Sequence, residues 1–334
     1  MKKYSKQHVS YLEKKSKLGN INVTGFPQNK KTKKTGKQHT FPYLNLPAPQ
    51  FFKLEYPHCI EVTNFIHRVK SASILNNRIL IDLKQVKEIC DGSIVMLLSL
   101  IIELTKNKVR IKGTFPDNPV SRQTLEKSGF FKYIHGLVQP ENADSKNTII
   151  RTGTYTTPPS EVSEQIYNSM ETIWGNKGRN PPLRGGVYEM VRNSCDHAFP
   201  SESMDIFWHF SVTHNDELNA VSYSFVDNGK GIINTLHRKG ILKQIQAYFK
   251  SNHDMLFSAF KDGIQSRTGL SWRGKGLPTI YELVTDNVVR NLIVISNDVF
   301  IDFENNIQEK LDPPFSGTYY HWIIDTNCQK YCFN

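Results

Sequence analysis

Between Ile94 and Ile102 the chain reads I-V-M-L-L-S-L-I-I, interrupted only by Ser99 and followed by Glu103. The surrounding span, Ser93 to Thr105, is long enough for a helix and mostly apolar, so that helix is expected to be well buried. The run is far short of the roughly 20 residues that span a bilayer, and no membrane segment is expected. Apolar, β-branched stretches flank it. Arg78 to Leu83 (R-I-L-I-D-L) and Val109 to Gly113 are predicted strands, and Ser121 to Ser128 a short helix stopped by Gly129. Strand, helix, strand and helix in such close succession imply a small α/β unit with parallel pairing.

A length of 334 residues favours two domains, at roughly 150 residues each. Charge marks off a third region. Residues 1–40 hold eleven lysines, no arginine and one acid, Glu13, for a charge of +10, while the other 294 residues carry only +1. Residues 1–48, without apolar periodicity, read as a flexible lysine-rich arm ending at Pro42 and Leu46-Pro47-Ala48-Pro49. A first domain is expected over 49–140. Pro140 to Pro159 reads as a polar linker or edge segment, and a second domain as covering 141–334. In it, helices are predicted at Ser160–Trp174, Gly186–Ala198, within Ile241–Lys261 and at Leu277–Val284. Strands are predicted at Ile206–Thr213, Ala220–Val226, Asn291–Ser296, Val299–Phe303 and Gly317–Ile324. No secretory signal is visible, and five scattered cysteines do not form a disulfide framework. A cytoplasmic protein with reduced thiols is the expectation. Cys328 and Cys332 beside His321 lack the second ligand pair that a structural metal site needs.

Three clusters in the second domain carry chemistry. In Glu189-Met190-Val191-Arg192-Asn193-Ser194-Cys195-Asp196, Glu189 and Asn193 lie four apart and share a helix face. A carboxylate can act as base toward water, and an amide oxygen is a hard ligand suited to Mg²⁺. The same spacing also fits an ordinary solvated helix face. Val226-Asp227-Asn228-Gly229-Lys230-Gly231-Ile232 follows a strand directly. There an Asp can accept from an exocyclic amine and two glycines permit close backbone approach, although Asn-Gly alone would make a plain turn. Arg273-Gly274-Lys275-Gly276-Leu277 opens a helix, where backbone N–H groups and a lysine suit phosphates.

In this order the clusters resemble the nucleotide-binding boxes of the GHKL (Bergerat-fold, HATPase-type) ATPase superfamily, over about residues 160–325. E-M-V-R-N-S-C-D resembles the first helix box in its ATPase form, D-N-G-K-G-I the adenine-contacting box, and G-K-G-L the phosphate-lid box. Gly317-Thr318 is similar to the closing Gly-Thr element. The resemblance implies an α/β sandwich, a mixed sheet with helices on one face, and binding of ATP with Mg²⁺. Carried over by residue, Glu189 would orient or deprotonate the attacking water and Asn193 would ligate Mg²⁺. Asp227 would accept from the adenine amine, with room made by Gly229 and Gly231. Gly274, Lys275 and Gly276 would cradle the phosphates, and Thr318 would support the adenine pocket. Asp196, Lys230, Ile232, Arg273 and Leu277 complete the boxes, Arg273 as a candidate phosphate contact, and Gln265 to Arg273 would be a mobile lid.

The first domain is similar to STAS domains of the anti-sigma-antagonist type, on I-L-I-D-L-K-Q-V-K-E-I-C-D-G-S, the apolar helix, V-R-I-K-G and L-E-K-S-G-F. It departs at the phosphoacceptor turn, which reads Asp91-Gly92-Ser93-Ile94 instead of Asp-Ser-Ser-Gly, so a structural, protein-contacting role is expected there. The whole reads as α/β and α+β, an ATPase acting as a nucleotide-gated switch toward a protein partner or a second copy. The enzyme alternative is a serine protein kinase of the anti-sigma type. A nucleotide-sensing nucleic-acid-binding module is the alternative from another class, since the arm interleaves lysines with Tyr4, Tyr11, Phe26, Phe41 and Tyr43. A solvated tail or a docking peptide for an acidic protein suits the same arm.

Overall fold

The computed structural model describes residues 42–134, 146–152, 160–197, 207–236, 251–263 and 276–331. Their elements run β1 (Leu44–Pro47), β2 (Phe51–Phe52), α1 (His58–Leu75), β3 (Arg78–Asp82), β4 (Glu88–Ile89), α2 (Asp91–Lys106), β5 (Arg110–Gly113) and α3 (Pro119–Lys127). After these come β6 (Thr148–Thr152), α4 (Ser160–Trp174), α5 (Pro181–His197), β7 (Trp208–Asn215), β8 (Ala220–Asp227), α6 (Ile232–Leu236), α7 (Asn252–Lys261), α8 (Gly276–Thr285), β9 (Arg290–Asp302) and β10 (Ile307–Ile324). The chain is of mixed α/β class, with both parallel and antiparallel sheets. No helix among the described residues is long and apolar enough to cross a membrane.

A parallel three-stranded sheet, β1-β3-β5, forms the first layer. Helices α1 and α2 lie on it, and their other side packs on a five-stranded sheet of order β6-β7-β8-β10-β9. On the far face of that sheet, α4, α5, α7 and α8 enclose a second core. This layering explains the apolar run at Ile94: twelve of the sixteen residues of α2 are buried, because the helix has a sheet on either side. One continuous core joins Val62, Phe65 and Ile94 through Leu98 to Phe207, Val226, Ile295 and Tyr319 of the larger sheet.

The described pairings of the five-stranded sheet are all antiparallel, in place of the expected mixed sheet. Tight connections impose this on two of the four pairs. β7 and β8 join through Asn219 (φ 47°) and β9 and β10 through Asn306 (φ 53°), left-handed turn positions that Asn tolerates. The strand that crosses over from β8 is β9, and β10 inserts between the two. Helices also cover both faces of this sheet, not one, since α1 and α2 supply the second cover. β9 is accordingly buried on both sides along most of its length.

Other boundaries shift for local reasons. Leu44–Pro47, read within the arm, is an edge strand paired with β3. Helix α1 is an addition to the expected elements, although its buried stripe (Cys59, Val62, Phe65, Ile66, Val69) has helical spacing. The helix predicted from Gly186 begins at Pro181: Asn180 accepts the Leu183 N–H as cap, and prolines are tolerated in a first turn. The two strands predicted around Ser296-Asn297-Asp298 are one strand. β10 starts ten residues before Gly317 and carries Pro313-Pro314 across a register shift. Of the helix predicted within Ile241–Lys261, residues 252–261 are helical and 241–250 lie outside the described residues.

Candidate functional site

Asp227 ends β8 on the face toward the second core, opposite Trp208 of β7 and Thr318 of β10. It is buried, and its carboxylate is ringed by donors. Oδ2 accepts the Ser194 hydroxyl of α5 at 2.7 Å, while Oδ1 accepts the Gly229 N–H at 2.8 Å and the Thr318 N–H at 3.2 Å. Burial raises its pKa above the usual carboxylate range, and these hydrogen bonds pull it back in part. Gly317 beside it has φ +111°, and a Cβ there would collide with the Asp227 carbonyl oxygen. The Gly-Thr pair is therefore needed for β10 to close over Asp227.

The loop after Asp227 is pinned from β9. Asn297 Nδ2 donates to the Lys230 carbonyl at 2.7 Å, its Oδ1 accepts the Asn234 N–H at 3.2 Å, and Ser296 Oγ accepts the Ile232 N–H at 2.8 Å. Gly231, at φ +81°, lies so close to the Asn297 side chain that a Cβ would displace it. Asn228 accepts the Phe207 N–H at 3.1 Å, tying the same loop to the start of β7.

Glu189, Asn193 and Ser194 come from the last three turns of α5, whose apolar stripe (Leu183, Val187, Met190, Val191) fixes it on the sheet. α8 crosses α5 at two glycines. Gly186 abuts Leu283, and Gly276, first residue of α8, lies against the two polar side chains. A Cβ on Gly276 would sit 2.7 Å from Glu189 Oε2 and 3.4 Å from the Asn193 amide. Asn193 Nδ2 is buried with no hydrogen-bond partner among the described residues, and Glu189 Oε1 lies 3.7 Å from Arg192 Nη1.

The sequence-predicted residues thus meet as two adjoining groups. Asp227, Gly229 and Thr318 form one, and Glu189, Asn193 and Gly276 the other, with Ser194 joining them through α5. Leu277 lies in the first turn of α8, Lys230 and Ile232 lead into α6, and Asp196 is on the last turn of α5. Arg273, Gly274 and Lys275, with the lid assigned to Gln265–Arg273, lie outside the described residues. The chain matches no protein-family model and no curated protein. Ser194 and Asn297 went unassigned in the sequence. Ser194 lies inside the first cluster without an assigned role, and Asn297 falls in the gap between the predicted strands Asn291–Ser296 and Val299–Phe303.

The donor set is also chemically apt for nucleotide. Asp227 is a buried acceptor at a strand end, and Asn193 is an orphaned amide one helical turn from a carboxylate. Gly276 leaves a cradle beside both at a helix N-terminus, where backbone N–H groups favour anions.

Proposed function

We propose that the chain binds ATP with Mg²⁺ between α5, α8 and the β8–β10 strand ends and hydrolyses it, its nucleotide state altering contacts with a partner. The observation that carries this reading is the seating of Gly276 against Glu189 and Asn193. Gly276 of the third cluster lies against Glu189 and Asn193 of the first, and Asp227 of the second accepts the hydroxyl of Ser194, the residue after Asn193. The residues fit the metal and the nucleotide that the resemblance implies. Asn193 has a buried amide without a partner among the described residues, and an amide can turn either oxygen or nitrogen inward. Asn193 would hold Mg²⁺, which supplies charge neutralisation at the phosphates. Glu189 would accept the proton of an attacking water, Asp227 would select an amine-bearing base, and the α8 start would hold phosphate oxygens.

Glu189 and Asn193 separate binding from turnover. Glu189→Ala should leave ATP binding intact and slow phosphate release roughly 10²–10⁴-fold. Asn193→Ala should weaken Mg-dependent binding itself. Calorimetric binding and phosphate-release assays on both variants decide the matter. Parental hydrolysis by Glu189→Ala would remove it from the reaction and leave a nucleotide-sensing module.

A further inference from the structure

Three consecutive residues of β9 hold two different parts of the site. Ser296 Oγ accepts the Ile232 N–H at 2.8 Å. Asn297 donates to the Lys230 carbonyl at 2.7 Å and accepts the Asn234 N–H at 3.2 Å, so both residues grip the loop after Asp227. Asp298 instead grips α7: Asn252 Nδ2 donates to its two carboxylate oxygens, at 2.8 and 3.0 Å. Side chains of a regular strand alternate between faces, and here that alternation is suspended. Asn297 has φ 57°, and the register against β10 jumps from Ser296–Thr318 to Asn297–Phe315. Asn252 is the first residue of α7 and is not needed to cap it, because Ser251 Oγ accepts the Asp254 N–H at 3.1 Å. From Asp298 the contacts run on to the other half of the site. α7 packs along α8, and both helices close on Phe303, just past the end of β9. Phe257 and Phe260 of α7 and Tyr281 of α8 lie 5.8, 5.2 and 5.2 Å from it between ring centroids. α8 opens with Gly276, seated against Glu189 and Asn193.

We propose that Asp298 is a positioning residue of the site: through Asn252 it fixes α7, and with it the start of α8, to the loop that Ser296 and Asn297 hold. A base bound at Asp227 then firms the seat of Gly276 on Glu189 and Asn193, so that the two ends of a nucleotide are sensed together. This role rests on the ATP reading, whereas the tie between loop and α7 exists without nucleotide. Coupling of this kind is reciprocal, so loosening α7 also loosens the loop. An anchor that served α7 alone could stand elsewhere along β9, but Asp298 adjoins the two residues that shape the loop.

Hydrogen exchange followed by mass spectrometry on the ligand-free full chain tests the tie, and hydrolysis of ATP against inorganic triphosphate tests its use. Asp298→Ala keeps the groups on Ser296 and Asn297 that hold the loop. It should nevertheless speed exchange over residues 229–234 as well as 252–261, by roughly fivefold or more. It should also cut kcat/KM for ATP about tenfold relative to inorganic triphosphate, which has no base to engage the loop. The isosteric swap Asn252→Asp with Asp298→Asn restores the contact with donor and acceptor reversed, and should return both readouts toward parental values. Melting temperatures establish that the variants are folded. Faster exchange in α7 beside a parental loop would overturn the proposal and make Asp298 a local anchor, and so would equal slowing of both substrates. Loop and α7 loosened together in a chain that neither binds nor hydrolyses ATP would keep the coupling and remove the ATP reading alone.

Discussion

Asp227 is held by more donors than a strand-end turn residue needs. A carboxylate accepts at about four positions, and the Ser194 hydroxyl, the Gly229 N–H and both the N–H and the hydroxyl of Thr318 act on it. An adenine amine reaching it must share an oxygen with them, and the Ser194 hydroxyl is the donor best able to rotate away. Asp227→Asn replaces an acceptor with a donor facing both Ser194 and the ligand, leaving a buried polar group unmatched. ATP affinity should fall about ten- to a hundredfold, the equivalent of roughly 1–3 kcal/mol. Ser194→Ala should cost about 1 kcal/mol of stability and leave ATP affinity near parental, since it removes a competitor and keeps the acceptor. Titration calorimetry with melting curves for both variants checks this, and equal ATP affinity in Asp227→Asn would reduce Asp227 to a structural role. At this scale the sequence exposed residues whose chemistry depends on type and local spacing, such as Asp227 between a strand and two glycines. It hid Ser194 and Asn297, whose roles come from contacts across 33 and 67 residues of chain.

Element by element, legibility follows how many faces are buried. α2 stands out because it is apolar all round, β8 because Val221, Tyr223 and Phe225 alternate with serines, and β9 because burial on both faces gives the continuous run Leu292–Ile295. β1 is hidden because it is a four-residue edge strand and the first part of β10 because its prolines sit at a bulge, whereas the stripe of α1 at helical spacing is legible in the sequence. Whether the α2 start is rigidly seated can be tested at Gly92. A Cβ there would overlap the Tyr319 hydroxyl and come within 3.2 Å of Ser224 Oγ. Ser93 beside it is buried, donating to the Cys90 carbonyl at 2.8 Å, and Asp91 accepts the Ser222 hydroxyl at 3.1 Å. This turn is thus a docking contact on β8 and β10, and its hydroxyl faces inward. Gly92→Ala should destabilise by about 1–3 kcal/mol through overpacking. Adding Tyr319→Phe should recover part of that loss by deleting the nearest atom. Urea unfolding of the two singles and the double gives the coupling, and strict additivity would show that α2 does not bear on Tyr319.

For the whole molecule, the seam between α1–α2 and the five-stranded sheet governs how stability responds to pH. His321 on β10 faces that seam, its Nδ1 3.1 Å from Ser224 Oγ. Burial lowers its pKa from 6.5 to about 4, only partly offset by a backbone hydrogen bond at Tyr223 and by the charge of Asp302. The folded state therefore keeps the ring neutral while the unfolded chain protonates it. Its contribution is fully present above pH 6.5 and is lost as pH falls from 6.5 through about 4. Asp91 in the same seam works in the opposite sense. Burial raises its pKa, so it disfavours folding as pH rises through its folded-state value and relieves that cost on acidification. Single substitution separates the two. Between pH 7 and pH 4.5 the parent should lose on the order of 2–3 kcal/mol through His321. His321→Asn, which keeps a polar partner for Ser224 without a titrating ring, should show a profile flatter by that amount. Urea midpoints at both pH values measure it, and parallel profiles for parent and variant would place the acid response outside this seam. Asp227 and Thr318 lie on the same two strands as Ser224 and His321, on the opposite face. A seam loosened by acid should therefore also weaken nucleotide binding in the parent and spare it in His321→Asn.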